Sequence, residues 1–150
     1  MKNQRILIVN GPNLGHLGER QPEIYGTQGM DAVPGLAARL LGERAGEVRL
    51  EFFQANGEGE LIDRLERARA EGVDGLVINA GAYTHTSLAL ADCLAWIGIP
   101  CVEVHLSNIL GRKDEPLRHT SLLSRHCIGV IAGLGILGYA LAVLALAERS

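Results

Sequence analysis

The chain has 150 residues, 47% of them hydrophobic and 21% charged, which is the size and balance of one globular domain and excludes extended disorder or a collagen-like repeat. Its formal net charge of −3 supplies no basic footprint for nucleic acid or an anionic membrane, so small molecules or other proteins are the expected partners. Only Lys2 and Lys113 among the 14 basic residues are lysines, and neither sits in a setting that would desolvate an imine-forming amine.

In chain order, residues 5–10 (RILIVN) form a short apolar run that predicts a buried strand. Residues 11–26 follow with no helical or strand period, a long connection of the kind that serves as a lid or binding loop. Asn13, Arg20 and Tyr25 are its polar landmarks. A helix is predicted over 32–44, with Leu36, Ala37, Leu40 and Leu41 on one stripe, and a second strand over 49–54. The next helix, 60–70, carries Leu61, Ile62, Leu65 and Ala68 and stops at Gly72. A third strand spans Gly75–Asn79, after which Thr86 or Ser87 can cap a helix bearing Leu90, Ala91, Leu94 and Ala95.

A fourth strand is expected over 100–106 and a fifth over 127–132, and the last helix over 138–148. Residues 127–147 carry no charge and would be long enough to span a bilayer, but Gly129, Gly133, Gly135 and Gly138 break the run into a buried last strand, a turn and a last helix. No membrane span is expected. Cys93, Cys101 and Cys127 are odd in number, widely spaced and set in apolar stretches, which suits buried thiols in a reducing compartment. With no secretory leader pattern at the N-terminus, a cytoplasmic location follows.

Five strands interleaved with four helices predict an α/β fold: an open parallel sheet in the flavodoxin-like order 2-1-3-4-5, with helices on both faces, formed by residues 1–150 as a single domain. Ligands in such sheets bind beyond the carboxyl ends of the strands, so the residues after each strand are the ones that matter. Strand 4 makes the sharpest local argument. Period two places Cys101, Glu103 and His105 on one face, and Glu103 falls inside a strand that should be buried. A buried carboxylate needs a partner, and His105 is the nearest. Two readings follow: an imidazole oriented by Glu103 that acts as acid or base, or a structural buried pair. Tyr25 is open in the same way. A phenol is a poor base near neutrality unless a cation such as Arg20 favours its phenolate, and a loop Tyr and Arg can also be bystanders. The phosphate-binding GxxxxGK[ST] pattern is absent, and His85, Glu103 and His105 have no compact metal-ligand spacing, so neither a nucleotide nor a metal is expected.

These segments taken together resemble type II 3-dehydroquinate dehydratase. The matching pieces are Gly11-Pro12-Asn13-Leu14 with Leu17-Gly18-Glu19-Arg20-Gln21-Pro22 and Tyr25-Gly26, then Glu58-Gly59-Glu60-Leu61-Ile62-Asp63, then Asn79 to Ser87, then Glu103-Val104-His105-Leu106-Ser107-Asn108, and finally Gly129 to Gly135 with Gly138-Tyr139. The resemblance implies cofactor-free dehydration of 3-dehydroquinate to 3-dehydroshikimate by anti elimination through an enolate. It implies Tyr25 as the base, Arg20 favouring its phenolate, Asn13 binding a water at the enolate oxygen, His105 as the acid, and Glu103 orienting it. Asn79, His85, Leu106, Ser107 and Arg118 would hold substrate under a lid of residues 18–26. Asp92 would reach the site of a neighbouring subunit in a trimer, four trimers making a homo-dodecamer. The family pattern differs at Gly15, at Gly57 and in a longer stretch around Lys113-Asp114, so that Arg112 or Arg118 could meet the substrate, with the Arg118-His119 pair fitting the pattern better. The alternative is a catalytically inactive flavodoxin-like protein that binds small molecules or serves assembly.

Overall fold

A computed structural model describes residues 3–17 and 29–149. Five strands, β1 (Gln4–Asn10), β2 (Val48–Gln54), β3 (Gly75–Asn79), β4 (Cys101–His105) and β5 (Gly129–Ala132), pair in parallel in the order β2-β1-β3-β4-β5. Among the described residues, three helices, α1 (Val33–Leu41), α2 (Glu58–Ala70) and α3 (Leu88–Ile97), fill the first three crossovers, the link from β4 to β5 holds only short 3-10 segments, and α4 (Leu137–Glu148) follows β5. This is the architecture that the alternating pattern predicts.

The apolar run of β1 is buried on both sides because the pleat divides it between two cores. Leu7 and Val9, with Leu76 and Ile78 of β3, pack against α2 and α3 through Leu61, Leu65, Leu90 and Leu94. Ile6 and Ile8, with Val77, Val102 and Val104, pack on the other face against Val33 and Ala37 of α1 and Tyr139 and Val143 of α4. Ser87 is the cap of α3, its Oγ accepting the Leu90 N–H at 3.0 Å. That hydroxyl also donates to the Glu58 carboxylate at the start of α2, tying two helix starts together.

Three local expectations are corrected. The first helix ends at Leu41, not Arg44, because Gly42 turns the backbone to φ 60° and residues Gly42–Glu47 continue as 3-10 helix; Leu40, expected on the buried stripe, is exposed. The last strand begins at Gly129, since Cys127 closes a turn onto Ser124, and it is not buried: β5 is an edge strand whose Val130 is 48% exposed. Of the cysteines, Cys93 and Cys101 are buried but Cys127 is half-buried. Burial, reinforced by Glu66, pushes the Cys93 thiol up to about 11, and its neighbour Cys127 together with burial pushes Cys101 well up, so both stay protonated near neutrality. Among the described residues no helix is long and apolar enough to cross a membrane.

Candidate active site

The carboxyl ends of β1, β3 and β4 open onto one cleft of about 590 Å³ including its mouth. Gly11 sets the first wall. Its N–H donates to the Asn79 carbonyl at 2.8 Å, and a Cβ there would lie 2.4 Å from the Ala80 carbonyl oxygen, so only glycine lets the loop press against the end of β3. Asn13 follows in the left-handed region at φ 69°, its backbone N–H held by the Asn56 side chain at 3.2 Å.

Asn79 ends β3 with its amide already oriented. Its Oδ1 accepts the Gly81 N–H at 3.1 Å and its Nδ2 donates to the Tyr139 hydroxyl at 2.9 Å, which in turn donates to Asn10 Oδ1 at 2.7 Å. Burial pushes the Tyr139 phenol well up, outweighing the opposite pull of Asn79, and the group remains a neutral donor.

At the end of β4, His105 lies 5% exposed on the cleft floor with Nε2 2.5 Å from Oε2 of the fully buried Glu103. The other carboxylate oxygen accepts the Ser121 hydroxyl at 2.7 Å. The His85 ring stacks on His105 with centroids 6.4 Å apart. His85 Nδ1 faces the Thr120 carbonyl at 2.7 Å, and since a carbonyl only accepts, that nitrogen carries the proton. The far wall is cationic: Arg112 donates to Ser107 Oγ at 2.7 Å and Arg118 to Glu115 Oε1 at 3.0 Å. Guanidinium groups, a hydroxyl and imidazoles around a polar cleft suit a small hydroxylated carboxylate.

The structure therefore brings Asn13, Asn79, His85, His105, Leu106, Ser107 and Arg118 to one cleft, together with Arg112. Both arginines weighed from the sequence line it, and Arg112 is the one bonded to Ser107. Glu103 lies beneath, reaching the cleft through His105. Asp92 is exposed on α3, away from the cleft lining of its own chain. Arg20, Tyr25 and the expected lid of residues 18–26 lie outside the described residues. Sequence reasoning did not single out Ser121 or the phenol of Tyr139, because neither carries a local pattern pointing to Glu103 or Asn79. Among the described residues no group of three or more His, Cys, Asp or Glu is arranged to hold a metal ion.

A family model described as dehydroquinase class II matches residues 4–147. The chain is 49% identical to a 3-dehydroquinate dehydratase of Polynucleobacter asymbioticus over 150 residues, covering 99% of this chain and 97% of the relative. It is 47% identical to a catabolic 3-dehydroquinase of Botryotinia fuckeliana, covering 95% and 92%. Among solved structures, the type II dehydroquinase of Butyrivibrio crossotus superposes with a TM-score of 0.86 at 38% identity, covering 97% of this chain and 98% of that one.

Proposed function

The chain belongs to the class II dehydroquinase family, and we propose that its cleft removes water from 3-dehydroquinate by anti elimination through an enolate, in the cytoplasm and without a cofactor. The observation that carries the reading is His105, held through Nε2 by a buried carboxylate at the floor of a cleft with a cationic wall. With Nε2–H committed to Glu103, a second proton taken up from solvent at Nδ1 makes the imidazolium, and Nδ1–H is the bond that passes a proton to substrate. The Tyr25 phenolate, favoured by Arg20, takes the proton at C2, next to the ketone. The electron pair left behind forms the enolate, whose oxygen rests on a water held by Asn13. Collapse of the enolate breaks the C1–O bond, and the departing hydroxyl takes the His105 proton and leaves as water. Asn79 assists at that hydroxyl, Ser107 and the Leu106 and Ser107 backbone hold the carboxylate, and His85 with Arg118 binds the ring hydroxyls. Arg112, bonded to Ser107, adds its charge at the carboxylate end.

The assembly we propose is a homo-dodecamer of four trimers in which Asp92 serves a neighbouring site. Its exposed position on α3, beside the exposed Leu88 and Trp96, supports this; sedimentation at less than dodecamer mass would refute the assembly, and at less than trimer mass the role of Asp92 as well. The decisive test of activity is to add 3-dehydroquinate and follow the ultraviolet absorbance of the conjugated enone. Folded protein that yields no product refutes the reading. Tyr25→Phe should abolish turnover and keep ligand binding, and borohydride with substrate should trap no adduct, because no lysine imine forms.

A further inference from the structure

Both oxygens of Glu103 are engaged, and the partner on Oε1 has its own proton direction dictated by the backbone. The Ser121 hydroxyl oxygen accepts the N–H groups of Leu123 and Ser124, each at 3.1 Å. A hydroxyl has two lone pairs and one proton. With both lone pairs occupied by amides, the proton is left for Glu103 Oε1 at 2.7 Å. Oε1 is thereby an acceptor, and any proton shared by Glu103 and His105 must lie in the Oε2–Nε2 contact at 2.5 Å. The frame around Ser121 is rigid: the Leu122 N–H is anchored on the Thr84 carbonyl at 2.9 Å, and Leu123 is fully buried.

We infer that Ser121 is a positioning residue for the dehydration. By donating to Oε1 it turns the carboxylate of Glu103 toward His105 and holds Nε2–H on Glu103, which leaves Nδ1 to take up the second proton that the imidazolium gives to substrate. Ser121 acts only through Glu103. Among the described residues, the charged or titratable groups that face His105 from the cleft side are the stacked ring of His85, whose Nδ1–H is spent on Thr120, and on the opposite wall Arg112 and Arg118, both paired with Glu115. The inference rests on His105 being the acid of the proposed elimination.

Four variants test it against wild type: Ser121→Ala, Ser121→Cys, Ser121→Thr and His105→Ala. Cysteine nearly preserves the volume but donates weakly, so it covers the case in which alanine fails to fold. Loss of the donor should lower kcat roughly tenfold to a hundredfold with KM nearly unchanged. Threonine, which keeps the hydroxyl, should retain most of the activity. The ring nitrogen spectrum of His105 in histidine-labelled protein should show Nε2–H in wild type and Ser121→Thr, and a mixture of tautomers in Ser121→Cys. A folded cysteine or alanine variant with wild-type kcat, or one whose activity falls while the His105 ring spectrum stays unchanged, overturns the role of Ser121. If His105→Ala itself turns over normally, the acid assignment is what fails.

Discussion

Glu103→Gln separates a catalytic carboxylate from a merely structural one. Glutamine matches glutamate in shape but must present one acceptor and one donor. Ser121 can only donate toward this position, so the glutamine oxygen faces Ser121 and its amide faces His105. An amide donor opposite Nε2 forces that nitrogen to accept, so the single ring proton sits on Nδ1 of a neutral imidazole, which is too weak an acid to give it up, and the negative charge that stabilises the imidazolium is gone. Losing one hydrogen bond to a charged group costs about 1.5–3 kcal/mol, or roughly ten- to a hundredfold in rate. With the tautomer reversed as well, kcat should fall about 10²–10⁴-fold, the range that a general acid contributes. Stability should move little, by less than about 1 kcal/mol. The variant exchanges a fully buried charge, expensive to desolvate, for a neutral group with both partners still paired. The assay is the absorbance of the enone product, beside urea unfolding of both proteins. A folded Glu103→Gln protein with kcat within about threefold of wild type would refute the reasoning.

Tyr139→Phe keeps a fully buried ring but strips Asn10 Oδ1 of its donor and Asn79 Nδ2 of its acceptor. The expected cost is about 2 kcal/mol in denaturant unfolding, with a drop in kcat as Asn79 loosens; unchanged stability would contradict the network. At the other end of the sheet, Arg5 grips Glu51 through two contacts, at 2.8 and 3.1 Å, and this holds the Glu51 carboxyl below its ordinary value of 4.5. A lowered folded-state value contributes stability that is fully present above the ordinary value of 4.5 and is lost as pH falls through the folded value. Unfolding of wild type and Glu51→Gln should therefore differ near neutrality, and the difference should shrink as pH falls below the ordinary value of 4.5 and vanish once it is below the lowered folded-state value. A gap that persists in acid would show that charge is not what holds this pair.

The sequence by itself determined what is encoded locally. The apolar run 5–10 read as a buried strand, five strands interleaved with four helices admitted few right-handed topologies, and period two put Glu103 and His105 on one face of a buried strand. Those patterns are legible because they depend on spacings of two to four residues. Ser121 is different. It stands 18 residues from Glu103, and it became the carboxylate's second partner only when the turn before β5 folded back over the sheet. Tyr139 is farther still from Asn10, 129 residues along the chain, and reads in sequence as one more apolar position of α4. The exposure of β5 was likewise hidden, since its valine and isoleucine look the same in an edge strand as in a central one, and the difference lies in how many neighbours the sheet supplies. Tertiary structure thus decided which polar groups stand behind the catalytic candidates. Hydrogen-bond partners across packed layers are set by the meeting of distant segments, and no local period records them.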